Sequence, residues 1–250
     1  MADDPIIRVE GLTAGYGDFT VLQDVGFEVR RGEVFLILGG SGCGKSTLLR
    51  QMIGLEAPWA GKIWYGRDEL TGADAATRER IRRRFGVMFQ SGALFGSMTV
   101  AENVMLALEE FTDLPPAACA LVAQLKLRLV QMEHACDRLP SELSGGMIKR
   151  AGIARAMALD PEILLLDEPS AGLDPVTSAG VDRLIRQLAE TLGITFVVVT
   201  HELASIYAIA DRALMLDAGV RGVLALGPPA ELRDHADERV RRFFRRETAD

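Results

Sequence analysis

A glycine-rich segment near the start of the chain has the residue types that bind phosphate groups. It covers residues 39–46 and has the sequence Gly-Gly-Ser-Gly-Cys-Gly-Lys-Ser. The apolar run 34–38 before it predicts a buried strand, and residues 47–53 after it predict a helix. A strand, the pattern G-x-x-x-x-G-K-S and a helix in this order are typical of a P-loop. The predicted nucleotide-binding residues are Gly39, Gly40, Ser41, Gly42, Cys43, Gly44, Lys45, Ser46 and Thr47.

The chemistry of this loop follows from its backbone and from two side chains. Glycines let the chain curl so that several N–H groups point at one anion, and the following helix N-terminus adds partial positive charge. The ammonium group of Lys45 can reach the β- and γ-phosphates, and the hydroxyl of Ser46 can bind Mg²⁺. The loop therefore suits the phosphate chain of a nucleotide and its magnesium ion.

Two adjacent carboxylates follow another apolar run. Residues 163–166 predict a buried strand that ends in Asp167 and Glu168. A carboxylate at the carboxyl end of a central strand, close to a P-loop, can hold Mg²⁺, which is the predicted role of Asp167. Glu168 can point at the γ-phosphate and polarise an attacking water. The alternative is that both acids simply end a strand at the surface.

A second anion site is predicted at the start of a later helix. Residues 143–147, Leu-Ser-Gly-Gly-Met, open a helical pattern that runs to Leu159. A serine followed by two glycines at a helix N-terminus suits an anion, although it also fits an ordinary helix cap. In combination with the P-loop and the carboxylate pair, the pattern becomes far more specific.

Composition and charge exclude several classes of protein. The chain has 250 residues, a net charge of −7 and three cysteines. The acidic balance argues against a nucleic-acid-binding protein. The cysteines show no C-x-x-C spacing, so we expect neither a disulfide framework nor a zinc site and favour a reducing cytosolic compartment. No apolar run approaches the roughly 20 residues that span a bilayer, so a membrane role would require a partner.

The hydrophobic pattern predicts one α/β domain over residues 1–250. Alternating apolar and polar residues at 21–29 predict a half-exposed antiparallel sheet. Continuous apolar runs, among them residues 196–199, predict parallel strands covered on both faces. The segment 91–159 predicts a helical subdomain inserted in this core, and residues 228–250 predict a C-terminal helical tail.

Together, these motifs resemble the ATP-binding-cassette (ABC) family of transporter ATPases, in the family's order and over nearly the whole chain. The resemblance implies a P-loop NTPase fold of the RecA type, with ATP and Mg²⁺ as ligands. The matching segments are residues 39–46 (Walker A), Gln90 (Q-loop), 143–147 (signature), 163–168 (Walker B), 170–174 (D-loop), His201 (switch histidine) and Tyr16 (the aromatic that stacks on adenine).

The resemblance also implies a role for each matching side chain. Tyr16 would stack on the purine. Gln90 would bond the metal or the attacking water and report the γ-phosphate to the helical insertion, while His201 would contact that phosphate. The residues expected to act in hydrolysis are Glu168, His201, Gln90 and Lys45, and those expected to hold Mg²⁺ are Ser46, Gln90 and Asp167.

A composite site is a further implication of the resemblance. The signature residues would close on ATP held by a second copy of the chain, which gives a head-to-tail homodimer with two sandwiched nucleotides. Asp174 would lie at the seam, and a monomer should hydrolyse ATP poorly. The signature residues expected to act in this way are Ser144, Gly145, Gly146 and Met147.

One departure indicates a branch of the family. The signature commonly ends in Gln, whereas here it ends in Met147, and residues 90–95 and 99–104 resemble the ATPase subunits of Mla/Mkl-type lipid transporters. This resemblance implies a peripheral subunit at the cytoplasmic face of the inner membrane that drives phospholipid transport. Its partners would be an integral permease, an Mce-domain lipid-binding protein and, as a further candidate, a small STAS-type regulatory subunit. The alternatives are an importer for another solute and a soluble ABC ATPase that acts as an assembly factor.

Two smaller features give predictions of their own. Residues 239–246 place Val240, Phe243 and Phe244 on one helical face, which predicts a segment that packs against a second subunit or a partner. Cys43 lies beside Lys45 and a helix N-terminus, which predicts a lowered thiol pKa and alkylation that ATP prevents.

Overall fold

Two β-sheets form the centre of the molecule. The structure is a computed structural model and describes residues 4–245. The first sheet is antiparallel and consists of β1 (Ile7–Tyr16), β2 (Phe19–Val29), β4 (Ala60–Tyr65) and β5 (Asp68–Glu69), in the order β2-β1-β4-β5. The second consists of β3 (Val34–Gly39), β6 (Phe85–Met88), β7 (Ile163–Asp167), β8 (Thr195–Val199), β9 (Arg212–Asp217) and β10 (Gly222–Gly227).

The second sheet has the order β10-β9-β3-β8-β7-β6, in which only the β10 edge strand runs antiparallel to its neighbour. Helices surround it. They are α1 (Lys45–Met52), α2 (Ala75–Arg82), α3 (Val100–Phe111), α4 (Pro116–Leu129), α5 (Gly145–Ala156), α6 (Pro175–Leu192), α7 (Leu203–Ile209), α8 (Pro229–Arg233) and α9 (Glu238–Arg245). No helix within residues 4–245 is long and apolar enough to cross a bilayer.

Strand β3 shows why the central strands are continuous apolar runs. Val34, Leu36 and Leu38 belong to one hydrophobic cluster, whereas Phe35 and Ile37 belong to a second. Alternate side chains of a strand point to opposite faces, so the sheet is buried on both sides. Burial of each such side chain contributes about 1.5–3 kcal/mol, which fixes β3 and the loop that follows it.

Helices α3, α4 and α5 occupy the segment between β6 and β7. A capping box begins α3, because Glu102 N–H donates to Thr99 Oγ1 at 3.2 Å and Thr99 N–H donates to Glu102 Oε2 at 2.6 Å. Val104 of α3 and Leu127 of α4 belong to the same hydrophobic cluster as Leu36 of β3. The segment therefore packs on the parallel sheet rather than around a separate core.

The C-terminal helix α9 corrects one prediction. Val240 and Phe244 are buried in the core of this same chain, and the ring of Phe244 meets that of Tyr207 edge-on at 6.1 Å between centroids. The apolar face expected to pack on another subunit is thus covered by the chain itself. Residue 246, the last of the predicted segment, lies outside the described residues.

The fold class predicted from the sequence is confirmed, with a parallel core and an N-terminal antiparallel sheet. Residues 175–192, which connect the parallel strands β7 and β8, form the crossover helix α6. Two elements were not predicted, β5 and α7. The seven residues of α7 bury Leu203, Ile206 and Ile209, but the helix is too short for a helical period to stand out in the sequence.

Candidate nucleotide site

Three adjacent strands bring predicted catalytic residues to one edge of the parallel sheet. Val199 of β8 pairs with Ile37 of β3 on one side and with Asp167 of β7 on the other. Parallel strands end on the same side, so the glycine-rich loop after β3, Glu168 after β7 and His201 after β8 meet there. This edge is where open α/β sheets bind ligands.

Glycine is required at two positions of the loop. Gly39 has φ of 144°, and a Cβ there would lie 2.4 Å from the carbonyl oxygen of Leu216. Gly44 has φ of 101°, and its Cβ would lie 2.6 Å from Cδ2 of Leu22. At Gly42, in contrast, a Cβ would meet nothing within 4 Å. The loop is therefore tight on its inner side and open on the other, where an anion can approach the backbone N–H groups.

Lys45 lies across the loop at the start of α1. Its Nζ donates to the carbonyl oxygens of Gly39 at 2.8 Å and Gly40 at 3.0 Å. Gly44, the residue before the helix, provides no side-chain cap to the first turn of α1. The helix N-terminus and the ammonium group together form a positive site, and a phosphate would compete with the two carbonyls for Lys45.

The Cys43 thiol behaves differently from the prediction. Its side chain is buried, and burial raises the pKa of the thiol. The ammonium of Lys45, whose Nζ lies 4.0 Å from Sγ, acts in the opposite direction without outweighing burial. The predicted lowering was wrong because the loop turns the sulfur inward, toward Gly39, where an added Cβ would lie 2.5 Å from it.

Glu168 and His201 form a direct pair. Nδ1 of His201 lies 2.8 Å from Oε1 of Glu168, while the histidine side chain is largely exposed. The other carboxylate oxygen, Oε2 of Glu168, is buried and has no hydrogen-bond partner among the described residues. Glu168 also has φ of 49°, in the left-handed region. Such backbone strain costs about 1–3 kcal/mol and is concentrated at functional sites.

Asp167 ends β7 and is half-buried. Burial raises the pKa of its carboxyl, Glu168 adds to the rise, and the cations of Arg50 and Lys45 oppose it. Within residues 4–245 no three His, Cys, Asp or Glu side chains are grouped as a metal site. Mg²⁺ commonly uses one or two carboxylates with phosphate oxygens and waters, so the oxygen donors Asp167 and Ser46 fit this ion.

Tyr16 lies beside the P-loop helix, at the end of β1. Its hydroxyl is 3.3 Å from Oγ1 of Thr47, and Nη1 of Arg50 donates to it at 3.3 Å. Tyr16 is 47% exposed, which is compatible with stacking of its ring on a planar ligand. The structure thus brings Tyr16 next to the P-loop helix, although Tyr16 ends a strand of the antiparallel sheet and the loop follows a strand of the parallel sheet.

The signature residues lie at the N-terminus of α5. Ser144 caps α5 by accepting from Met147 N–H at 3.3 Å, and it is exposed. A Cβ on Gly146 would lie 2.4 Å from Cγ2 of Thr177, so the signature packs against the start of α6. Asp174 caps that helix and is exposed. In the described part of the chain no hydrogen bond joins residues 144–147 to residues 39–46.

Lys149 is a site residue that the sequence analysis missed. Its Nζ donates to the backbone carbonyls of Gln90 and Glu168, the latter at 3.0 Å. The side chain is only 6% exposed, although that of Gln90 is at the surface. The available signal was helical spacing, because Gly146, Lys149 and Ile153 lie on the buried face of α5.

A buried polar chain behind the site was also missed. Oγ of Ser205 donates to Oδ2 of Asp182 at 2.8 Å and lies 3.4 Å from Oγ of Ser170. Burial raises the pKa of Asp182, and the nearby Glu202 adds to this rise. These three hydrogen-bonded side chains join α6 and α7 to the D-loop, and no sequence motif marks them.

Comparison with known proteins assigns the family. Residues 22–171 match the family model described as ABC transporter. Among curated relatives, the phospholipid-transport ATP-binding protein MlaF of Escherichia coli K12 is 38% identical over 91% of this chain and 84% of its own length. The probable ribonucleotide transport ATP-binding protein mkl of Mycobacterium leprae is 39% identical over 95% of this chain and 68% of its own.

Solved structures agree with this assignment. The dimeric cassette MJ0796, in a post-hydrolysis state with ADP and Pi, is 30% identical with a TM-score of 0.79, covering 89% of this chain and 98% of that one. The protein cbiO1 from Clostridium perfringens is 30% identical with a TM-score of 0.84, covering 93% and 92%. The chain belongs to the ABC transporter family. It is the ATP-binding subunit of an ABC transporter, and it is an ATPase.

Proposed function

We propose that this chain hydrolyses Mg-ATP to drive phospholipid transport between bacterial membranes, as the peripheral ATPase of a Mla-type transporter. The observation that carries the proposal is the 38% identity with MlaF over 91% of the chain. On this proposal the subunit lies at the cytoplasmic face of the inner membrane and binds a permease that works with an Mce-domain protein. A small STAS-type regulatory subunit is a further candidate partner.

A surface groove supports binding of a permease. The groove, here called the Phe95 groove, has a volume of about 800 Å³ between the parallel sheet and α3. Its lining combines aromatic and aliphatic side chains with charged ones, which suit a short amphipathic helix. The apolar lining residues include Phe85, Phe89, Phe95, Leu106, Phe111 and Leu159, and the charged ones are Glu79, Arg82, Arg83, Glu110 and Arg155.

Buried hydrogen bonds hold this groove in shape. Asn103 is fully buried; its Oδ1 accepts from Phe95 N–H at 2.7 Å, and its Nδ2 donates to the carbonyl of Thr99 at 2.9 Å. The guanidinium of Arg155 lies 5.9 Å from the centre of the Phe95 ring and donates to the carbonyl of Gly92 at 3.3 Å. A rigid groove binds a helix without the entropy cost of ordering a loop.

In the proposed reaction, backbone N–H groups of the loop and Nζ of Lys45 bind the phosphates, and Tyr16 stacks on the base. Bound Mg²⁺, held by Ser46, Asp167 and Gln90, would neutralise charge on the β- and γ-phosphate oxygens.

We propose that the adjacent residues Glu168 and His201 act on the attacking water. Glu168 accepts a hydrogen bond from the attacking water through Oε2, since that oxygen has no hydrogen-bond partner among residues 4–245. His201 holds Oε1 and, once ATP is bound, contacts the γ-phosphate.

We propose that the active form is a head-to-tail dimer. Ser144, Gly145, Gly146 and Met147 would face the nucleotide of the second copy, and Asp174 would lie at the seam. The exposure of Ser144 and its position at a helix N-terminus support this arrangement, as does the dimeric state of the MJ0796 cassette. Residues 91–159, in turn, would form the helical subdomain that connects the groove to the signature.

A second candidate function is transport of another solute. It is favoured by the comparable identity, 39%, with mkl, which is named a probable ribonucleotide transport protein. A soluble assembly factor without a permease is the third possibility, which the Phe95 groove disfavours.

Purification of the tagged protein from native membranes in mild detergent tests these proposals. Recovery of a permease with an Mce-domain protein and bound phospholipid is the expected result, whereas a different permease with another solute, or only soluble partners, would refute it. Phe95→Asp should abolish co-purification of the permease. Leu192→Asp is the matched control, since Leu192 is 47% exposed and Phe95 51% exposed, but Leu192 is not among the residues that line the groove.

A further inference from the structure

One buried lysine joins two segments that face the predicted γ-phosphate position. Lys149 donates from a single Nζ to the backbone carbonyls of Gln90 and Glu168. Gln90 follows β6 and Glu168 follows β7, and these are neighbouring strands. The same ammonium group therefore links the two backbones just beyond the paired strands, and it does so from a third element, α5.

The physical chemistry makes these contacts strong. An ammonium group has three donors and no acceptor, and a buried charge is costly unless it is hydrogen-bonded. The carbonyl bonds of Lys149 are charge-assisted, which makes each about twice as strong as a neutral one. Burial lowers the pKa of Lys149, while the carboxylates of Glu168, Asp167 and Glu202 oppose this change.

Lys149 acts on a strained part of the backbone. Glu168 has φ of 49°, and its carbonyl also accepts from Ala171 N–H at 3.2 Å. The conformation aims the side chain toward His201, and it persists only if the surroundings hold it. The bond from Lys149 is one of the two contacts on that carbonyl.

The helix that carries Lys149 begins at the signature. Ser144 caps α5, and Lys149 lies five residues further on within the same helix. We propose that Lys149 is a positioning residue that transmits engagement of the signature, by nucleotide on a second copy, to Gln90 and Glu168 of its own chain. This inference rests on the roles proposed above for these residues.

Substitution of Lys149 in the purified, transporter-bound protein tests the inference. Lys149→Met keeps the length of the side chain but removes the charge; it should lower kcat for ATP roughly 10- to 100-fold and leave the KM for ATP within about twofold. The cooperativity in ATP concentration should fall toward a Hill coefficient of one. Lys149→Arg keeps the charge and donors and should recover most of kcat.

Lys126 provides a matched control. It is the other buried lysine among the described residues, at 7% exposure, and it pairs with Asp160 away from the site. Lys126→Met should leave kcat within about twofold of the parent, with the melting temperature measured for all variants.

Three results would overturn the inference. They are an unchanged kcat in Lys149→Met, an equal loss of kcat and ATP affinity, and failure of Lys149→Arg to recover activity in a folded protein. The roles of the catalytic pair are tested separately by Glu168→Gln. Full activity in that variant would refute the proposed mechanism, whatever Lys149 does.

Discussion

Nδ1 of His201 lies 2.8 Å from Oε1 of Glu168, and the two residues follow neighbouring strands of the parallel sheet. The exposed imidazole thus fixes the orientation of a buried carboxylate. The second oxygen of that carboxylate is buried and has no hydrogen-bond partner in the described part of the chain, so it can still accept one. Geometry and strain support the proposal that Glu168 is the group that acts on the water.

Glu168→Gln should separate hydrolysis from binding. The amide keeps the shape of the side chain but loses the charge that polarises water, so kcat should fall by about 100-fold or more while ATP affinity changes little. Steady-state phosphate release and nucleotide titration measure the two effects. His201→Ala should lower kcat less, because the carboxylate charge of Glu168 is kept although its hydrogen bond to the imidazole is lost. A larger loss in His201→Ala than in Glu168→Gln would contradict this order of roles.

Lys45→Met should weaken ATP binding by about tenfold or more, because the ammonium group that donates to the loop carbonyls is removed. Isothermal titration with ATP measures the affinity. Lys62→Met is a suitable control, since Lys62 lies on β4 and pairs with Glu69 at the surface. Equal affinities in the two variants would show that Lys45 stays on the carbonyls when ATP binds.

The raised pKa of the Cys43 thiol gives a labelling prediction. Because only the thiolate reacts, and the sulfur is also buried, iodoacetamide should modify Cys43 at neutral pH more slowly than a free cysteine, by about tenfold or more. Mass spectrometry of peptides over time measures the rate, with the urea-unfolded chain as the reference. Rapid labelling in the folded protein would restore the original prediction of an activated thiol.

Asp182 should make stability depend on pH. Its folded-state pKa is raised by burial, so its contribution to the free energy of unfolding is complete below the unfolded pKa of about 4 and is lost as pH rises through the folded pKa. Asp182→Asn removes this pH-dependent loss of stability. The stability of the variant relative to the parent should therefore improve from about pH 4 to about pH 7, as measured by urea denaturation.

Asp74→Asn gives the opposite trend and serves as the control. Asp74 caps α2, and the N–H of Thr77 lowers the pKa of its carboxyl. The stability from this bond is present above the unfolded pKa and is lost as pH falls, so the variant should lose stability relative to the parent as pH rises. Identical trends in the two variants would refute the assignment of Asp182.

Burial of α9 against its own chain predicts a core-like cost for truncation. Phe244→Ala should lower the free energy of unfolding by about 3–5 kcal/mol, since the ring lies in the core beside Tyr207. Phe243→Ala, at a half-buried position on the same helix, should cost clearly less. Thermal unfolding at two protein concentrations separates this effect from dimer dissociation. Equal, small effects would favour the original prediction of an intersubunit contact.

The elements that could be predicted are those whose pattern lies within one short stretch of sequence. Continuous apolar runs correspond to the buried strands β3, β7 and β8, and the P-loop pattern identified a loop with the required glycines. The contacts of Lys149 could not be predicted, because they join residues 59 and 19 positions apart. The lowered pKa of the Cys43 thiol was predicted from its neighbours in sequence, whereas the burial of the thiol depends on how the loop folds. Local charge and tertiary desolvation act in opposite directions there, and desolvation is the larger effect.

Strands β6 and β7 are parallel neighbours, with Phe85 paired to Ile163 and Met88 to Leu166. Parallel neighbours cannot be joined by a tight turn, because the chain must travel back along the sheet, which takes a dozen or more residues. The helical segment is that return path. Its length has a lower limit but no upper one, and its sequence is constrained only where it contacts the core, the groove and the signature. The sequence of this one connection can therefore change in evolution to suit a new membrane partner, while the strands that position the phosphate-binding residues stay unchanged.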